Sequence, residues 1–118
     1  MKKRDRHMVY LKYGGKCAYC GRALSYEEMQ VDHIVPKRNN GKNNISNYNP
    51  SCRRCNHYKR ACSLEVYRKI IKSLHERVQR IYIVKVAIDY GIIKLNKFDG
   101  VFYFERETKK EEKLQQPK

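Results

Sequence analysis

The stretch that decides the fold runs from residue 17 to residue 59. It begins with Cys17-Ala-Tyr-Cys20, continues through Val31-Asp32-His33-Ile34-Val35-Pro36, and ends with Ser51-Cys52-Arg53-Arg54-Cys55-Asn56-His57-Tyr58-Lys59. Two Cys-x-x-Cys pairs therefore bracket an aspartate-histidine dipeptide. This arrangement predicts two sites side by side, one that holds the fold and one that performs chemistry.

The two cysteine pairs predict a structural metal site. Two residues between cysteines let the chain turn so that both sulfur atoms reach one ion, and Cys17, Cys20, Cys52 and Cys55 together offer four thiolates. Zn²⁺ prefers such a tetrahedral sulfur set in closed, structural sites. A redox pair, a disulfide pair and simple buried thiols are the alternatives. The fifth cysteine, Cys62, has no pairing partner in the sequence. An odd number of cysteines fits four metal ligands and one spare thiol better than it fits a set of disulfides.

The charge balance indicates an anionic partner. Lys and Arg number 27 against 12 Asp and Glu, which gives a formal net charge of +15. A field of that sign attracts phosphate chains or anionic membranes. No stretch approaches the roughly 20 apolar residues of a membrane span, and the charged N-terminus does not resemble a signal peptide. We therefore expect a cytoplasmic protein with reduced thiols, a nucleic-acid partner and no membrane partner.

The length of 118 residues predicts a single domain over residues 1–118, and the mixture of expected helices and strands makes it α+β. The stretch at about 14–60 that carries both cysteine pairs is followed by a helical and hairpin extension at 63–105 and a polar tail without function at 106–118. The expected elements are a helix at 4–13, a strand ending near His33, a loop at 37–47, a short helix at 53–60 and a second helix from 63. A helix is favoured over a strand at 81–90, and a β-hairpin is expected of 92–95 with 101–105.

The polar loop and the short helix after it carry most of the predicted phosphate contacts. The loop could be a mobile surface excursion, but its length and its cations favour a contact with phosphates. The residues predicted to bind nucleic acid are Lys37, Arg38, Lys42, Arg53, Arg54, His57, Lys59 and Arg60.

The order Cys-x-x-Cys, Asp-His-Ile-x-Pro, Asn, Cys-x-x-Cys-Asn resembles the HNH endonuclease family of the His-Me finger superfamily. That resemblance implies a ββα-metal core in which two strands and a helix gather around a metal. Overall size and charge are similar to the small stand-alone HNH proteins of phages, which would place this chain in the host cytoplasm.

The resemblance also implies roles for individual residues. His33 stands where the family has its general base, next to Asp32. Asn47 stands where an asparagine holds the loop in shape, and Asn56 stands at the third position. Asp32 and Asn56 would together hold a catalytic divalent ion, Mg²⁺ or Mn²⁺. Asn49 and His57 are rivals for these roles. Adjacent residues on a helix are about 100° apart in rotation, so Asn56 and His57 cannot substitute for each other, and we choose Asn56.

These residue types suit phosphodiester hydrolysis. A divalent cation stabilises the scissile and leaving oxygens, hard oxygen ligands hold Mg²⁺, and an imidazole accepts a proton from the attacking water. The leading hypothesis is a metal-dependent endonuclease that cleaves double-stranded DNA. The alternatives are a zinc-stabilised nucleic-acid-binding module without catalysis and a four-cysteine module for a protein partner. RNA as substrate, a homodimer and a larger phage or host protein partner stay open.

Overall fold

A computed structural model describes residues 1–115, and the end of the predicted polar tail, residues 116–118, lies outside the described residues. The elements are α1 (Lys3–Leu11), β1 (Gln30–His33), β2 (Tyr48–Ser51), α2 (Arg53–Lys59), α3 (Leu64–Val78), α4 (Tyr82–Asp89) and α5 (Tyr103–Gln115). One-turn 3-10 helices at Lys37–Asn39 and Ile45–Asn47 interrupt the loop between the strands. No helix in the described part of the chain is long and apolar enough to cross a membrane.

The described residues divide into two compact units. The first contains residues 1–64 together with the chain from Phe102 onward, and the second contains residues 65–101. The expectation of a single domain stays a prediction.

The first unit is built on an antiparallel strand pair followed by a helix. In the pair, Asp32 lies opposite Asn49 and His33 lies opposite Tyr48. The helix α2 follows β2 after one residue, Cys52. The predicted α+β class and the ββα order are confirmed, and β1 ends at His33 as expected. The core side chains of this unit are Val9, Tyr19, Leu24, Met29, Tyr48 and Phe102.

The second unit consists of α3, α4 and the irregular segment that follows them. The helices predicted from residue 63 and at 81–90 are confirmed as α3 and α4. Gly91 follows α4 with φ of +71°, the left-handed conformation in which a glycine ends a helix. Tyr67 on α3 is buried, whereas most side chains of α4 are exposed.

The predicted β-hairpin was wrong. Residues 92–102 form no strand, and the aromatic run enters a helix, α5, that also occupies part of the predicted polar tail. The carboxylate of Glu105 accepts a hydrogen bond from the Phe102 amide at 2.9 Å, which is one half of a capping box. The amides of Tyr103 and Phe104 then donate to the carbonyls of Tyr19 and Ala18 at 3.2 and 2.7 Å. Contacts with a distant turn therefore start a helix where β propensity favoured a strand.

Candidate metal centre and active site

The two cysteine pairs converge on one point in the structure. The Sγ atoms of Cys17, Cys20, Cys52 and Cys55 all lie within 4.8 Å of one another, and the Cys20 and Cys52 sulfurs are 3.9 Å apart. A tetrahedral site with Zn–S bonds of 2.3 Å has sulfur atoms about 3.8 Å apart. The spacing of the four sulfurs is therefore compatible with zinc.

The protonation of these thiols also fits a cation. Hydrogen bonds from the Cys20 and Cys55 thiols lower the pKa of Cys17. The same contacts with Cys17 raise the pKa of Cys20 and Cys55. The four sulfurs thus favour a single thiolate, because a thiol that donates a hydrogen bond to the Cys17 thiolate resists losing its own proton and a second thiolate would be repelled. A dication would remove that opposition and let all four sulfurs ionise.

Three of the predicted catalytic residues lie around one cleft. Asp32 and His33 come from the end of β1, and Asn56 comes from α2. The cleft has a volume of about 420 Å³, and its lining residues are Val31, Asp32, His33, Pro36, Lys37, Arg38, Asn56, Arg60 and Ala61. The cleft therefore combines a carboxylate, an imidazole and an amide with three cationic side chains.

A buried network holds the Asp32 carboxylate. The Tyr19 hydroxyl donates to Asp32 Oδ2, and Lys59 Nζ lies 3.1 Å from Oδ2 and 3.3 Å from Oδ1. Burial raises the pKa of the Asp32 carboxyl, whereas the bond from Tyr19 and the charge of Lys59 oppose that rise. Burial also raises the pKa of the Tyr19 phenol, which keeps it a donor.

The prediction that Lys59 contacts phosphate is wrong, because Lys59 is buried. Its side chain is 0% exposed, and its ammonium also donates to the carbonyls of His33 and Cys62 at 3.2 and 3.0 Å. An ammonium has three hydrogens, and the Asp32 carboxylate and these two carbonyls supply three acceptors. Lys59 is therefore an interior cation rather than a surface contact for nucleic acid.

The His33 ring is positioned by its neighbours in the first unit. Its Nε2 atom is 3.0 Å from Oδ1 of Asn43. The ring of Tyr48, its partner in the strand register, meets it edge to face with centroids 5.0 Å apart. Because Lys59 also binds the His33 carbonyl, both the backbone and the ring of His33 are fixed at the edge of the cleft.

Asn47 closes the loop that leads out of β1. Its Oδ1 accepts from the Val35 amide at 2.9 Å, and its Nδ2 donates to the carbonyls of Val35 and Lys42 at 3.0 Å each. Gly41 packs just as closely, because a Cβ atom there would lie 1.7 Å from the Val35 carbonyl oxygen. Asn47 acts here on the loop backbone and does not line the cleft.

Comparisons with known proteins match the central stretch to a family model. Residues 17–61 match the model of the family described as HNH endonuclease. The chain is 45% identical over 47 residues to the CRISPR-associated endonuclease Cas9 of Actinomyces naeslundii, a match that covers 39% of this chain and 4% of that protein.

Two further similarities each cover about half of this chain. The CRISPR-associated endonuclease Cas9 of Corynebacterium diphtheriae is 34% identical over 55 residues, 46% of this chain and 5% of that protein. The crystal structure of the Type II-C Cas9 enzyme from A. naeslundii aligns with a TM-score of 0.49 and 30% identity over 55% of this chain and 7% of that one. This chain thus matches only a small fraction of each Cas9 protein.

The remaining predicted residues lie outside the HNH cleft. Lys42, Arg53, Arg54 and His57 are exposed, but none of them lines the cleft. The rival Asn49 is fully buried in β2, and its amide has no hydrogen-bond partner among the described residues. Asn49 therefore has no access to a substrate, and the exposed His57 is not part of the cleft lining that includes Asn56.

Two residues of the HNH site escaped the sequence analysis. Tyr19 lies between the first two cysteines. Nothing in the sequence around it indicates a hydrogen bond to the Asp32 carboxylate 13 positions away. Asn43 is one of several asparagines in the loop, and only the fold shows that its amide meets His33. Neither contact could be inferred from spacing along the chain.

Proposed function

We propose that the chain is a metal-dependent endonuclease that hydrolyses phosphodiester bonds in DNA. The observation that carries the proposal is the shared cleft of Asp32, His33 and Asn56 inside the matched HNH segment. A module that only bound nucleic acid would have no use for a fixed imidazole beside a carboxylate and an amide.

His33 is the proposed general base. With Asn43 Oδ1 as acceptor, Nε2 carries the ring hydrogen, and Nδ1 is left to take the proton of a water molecule. Tyr48 and the bond from Lys59 to the His33 carbonyl restrict how the ring can turn. This restriction matters because a base must stand within hydrogen-bond reach of the proton it removes.

Asp32 and Asn56 are the proposed ligands of the catalytic Mg²⁺ or Mn²⁺. Both residues line the cleft and carry side-chain oxygen atoms, and hard divalent ions select oxygen ligands. The carboxylate still has room for such an ion, since two ionised oxygens offer about four acceptor positions and Tyr19 and Lys59 supply the donors seen there. When bound, the cation would stabilise the negative charge that develops on the phosphate oxygens.

Cationic side chains at the cleft are the proposed DNA contacts. Lys37, Arg38 and Arg60 line it, and the whole chain carries +15. Contacts of this kind orient a phosphate backbone without reading its sequence. Double-stranded DNA is the proposed substrate, bound with an affinity that falls steeply as salt concentration rises.

The deciding experiment is cleavage of supercoiled plasmid at low salt with Mg²⁺, Mn²⁺ or excess EDTA. The wild-type chain is expected to nick the plasmid only with a divalent ion. His33→Ala should lower the nicking rate by at least about 100-fold, the usual contribution of a general base, and should still bind the plasmid. His7→Ala, at an exposed histidine on α1, is the matched control and should cleave like wild type.

The opposite results would decide against the nuclease. If the wild-type chain binds plasmid but leaves it intact under every metal, the chain is better explained as a zinc-stabilised binding module. If His33→Ala cleaves at the wild-type rate, another residue is the base, and the role proposed for His33 is wrong.

A further inference from the structure

The exposed side of α4 carries an apolar surface that no part of residues 1–115 covers. We name the α4 face as the set Tyr82, Ile83, Val86 and Tyr90, whose exposed fractions are 81%, 74%, 39% and 80%. At 100° per residue these four positions fall within about 100° of the helix circumference. Val84, on the other side of the helix, and Ala87, next to Ile83 at the edge of the face, are half-buried. The apolar stripe thus points outward, whereas a helix stripe ordinarily packs on the core.

The area of the α4 face is that of the largest apolar patch on a typical monomer, and such patches often mark binding sites. A tyrosine buries ~150–250 Å² when covered, so the two tyrosines of the α4 face offer roughly 300 Å², and Ile83 and Val86 raise the sum to on the order of 500 Å². Ile81 and Ile92, which flank the face, are also exposed, at 51% and 74%. Each side of a standard protein interface contributes ~800 Å², and a monomer's largest apolar patch is about 300–600 Å².

The charge of the segment argues against DNA and against a membrane surface as the occupant. Residues 81–93 contain one cation, Lys85, and one anion, Asp89, and so have no net charge, although the whole chain carries +15. DNA requires a cationic surface. Helices that lie on membranes are rich in lysine and arginine on their polar face, and α4 has eight residues with a single lysine. The occupant is therefore a protein surface that is itself apolar and neutral.

The spacing along α4 is symmetric and points to a second copy of the same chain. Tyr82 and Tyr90 each stand four residues from Val86. If two α4 helices pack antiparallel about a two-fold axis at Val86, each Tyr82 meets Tyr90 of the other copy, and the two Val86 side chains meet each other. In a two-fold interface the same patch must complement itself, and this one does.

The two charged residues of the segment complement themselves in the same arrangement. Lys85 and Asp89 lie on the same edge of the α4 face, one helical turn apart. With 1.5 Å of rise per residue and the axis at Val86, Lys85 of one copy lies about 3 Å along the helix from Asp89 of the other. Two Lys85–Asp89 pairs would therefore flank the apolar contact.

We propose that the chain forms a two-fold dimer through the α4 face. Side chains that a monomer would leave in water are covered by their equivalents in the second copy. A two-copy particle carries two clefts, the number needed to cut both strands of a duplex in one encounter. The dimer itself does not depend on the proposed nuclease function, since it rests on the surface of residues 81–93 alone.

Sedimentation velocity on the nucleic-acid-free full chain at about 0.15 M salt tests the proposal. The wild type is expected to change from 14.2 kDa to twice that mass within the micromolar range that an interface of this size supports. Val86→Glu places two carboxylates at the axis and should weaken the dimer by at least about 100-fold. Val66→Glu, at a valine of α3 that is 48% exposed, is the matched control and should dimerise normally.

Charge reversal tests the two-fold geometry itself. Lys85→Glu should weaken the dimer, and Lys85→Glu combined with Asp89→Lys should restore it, with circular dichroism confirming that both variants fold. The proposal is overturned if the wild type stays a monomer up to about 100 µM, above the micromolar Kd of a weak interface, or if Val86→Glu dimerises like wild type. It is also overturned if the double reversal is no tighter than the single one, or if a monomeric wild type co-sediments with phosphatidylserine vesicles.

Discussion

Replacing Lys59 with methionine leaves a negative charge in the interior of the first unit. The Lys59 side chain is 0% exposed and the Asp32 side chain is 5% exposed, so water cannot replace the lost ammonium. Removing one partner of a buried ion pair costs ~3–5 kcal/mol. Methionine nearly refills the volume, but the carbonyls of His33 and Cys62 also lose their donor. We therefore expect the free energy of unfolding to fall by about 4 kcal/mol. The total free energy of unfolding of a domain is ~5–15 kcal/mol.

Urea unfolding at a fixed, saturating zinc concentration measures this loss, with circular dichroism as the signal. Lys69→Met, at an exposed lysine of α3, is the control and should change stability by no more than ~0.5 kcal/mol. Adding Asp32→Asn to Lys59→Met removes the stranded charge while Tyr19 keeps an acceptor, so the double variant should recover about 2 kcal/mol. The reasoning is refuted if Lys59→Met costs less than about 1 kcal/mol or if the two substitutions prove additive.

Two further predictions concern the metal centre and the loop. Cys52→Ser should lower zinc content from one ion per chain to none and destabilise the fold, whereas Cys62→Ser, outside the sulfur cluster, should keep its zinc; elemental analysis of both purified variants distinguishes them. Gly41→Ala should lower the plasmid nicking rate by at least about tenfold with zinc content unchanged, because its Cβ would lie 1.7 Å from the Val35 carbonyl oxygen and a misplacement of about 1 Å can cost 100-fold. Wild-type nicking by Gly41→Ala would show that the loop conformation does not matter for His33.

The sequence predicted most of the first unit because its signals are local. The cysteine spacing brought four sulfurs together, and the alternation before Pro36 gave the strand that ends at His33. The second strand, β2, was expected only from the resemblance to HNH endonucleases, because residues 48–51 carry no strand pattern of their own. By contrast, the hairpin prediction failed at Phe102–Glu105, where local β propensity competed with bonds from α5 to the carbonyls of Ala18 and Tyr19. Those bonds join residues more than 80 positions apart and leave no pattern in the sequence.

Lys59 shows why charge alone misassigns residues. Lys59 was predicted to be a surface cation because it follows Arg53 and Arg54 on a short helix and precedes Arg60. Its burial follows from the packing of α2 on β1, which places its ammonium against a carboxylate 27 residues earlier in the chain. Periodicity cannot detect this, because α2 has seven residues and fewer than two full turns follow Cys52.

The metal centre and the cleft share their positioning residues, and this explains why a small chain combines both sites. Tyr19 lies between Cys17 and Cys20 and donates to Asp32. Cys52 accepts from the Cys55 amide at 3.3 Å and so caps α2, the helix that carries Asn56 and Lys59. An ion held by the four sulfurs would therefore fix the donor to Asp32 and the helix of Asn56 at once. Because catalytic groups must be held to within about 0.5 Å, we expect the proposed roles of Asp32 and Asn56 to depend on the sulfur cluster.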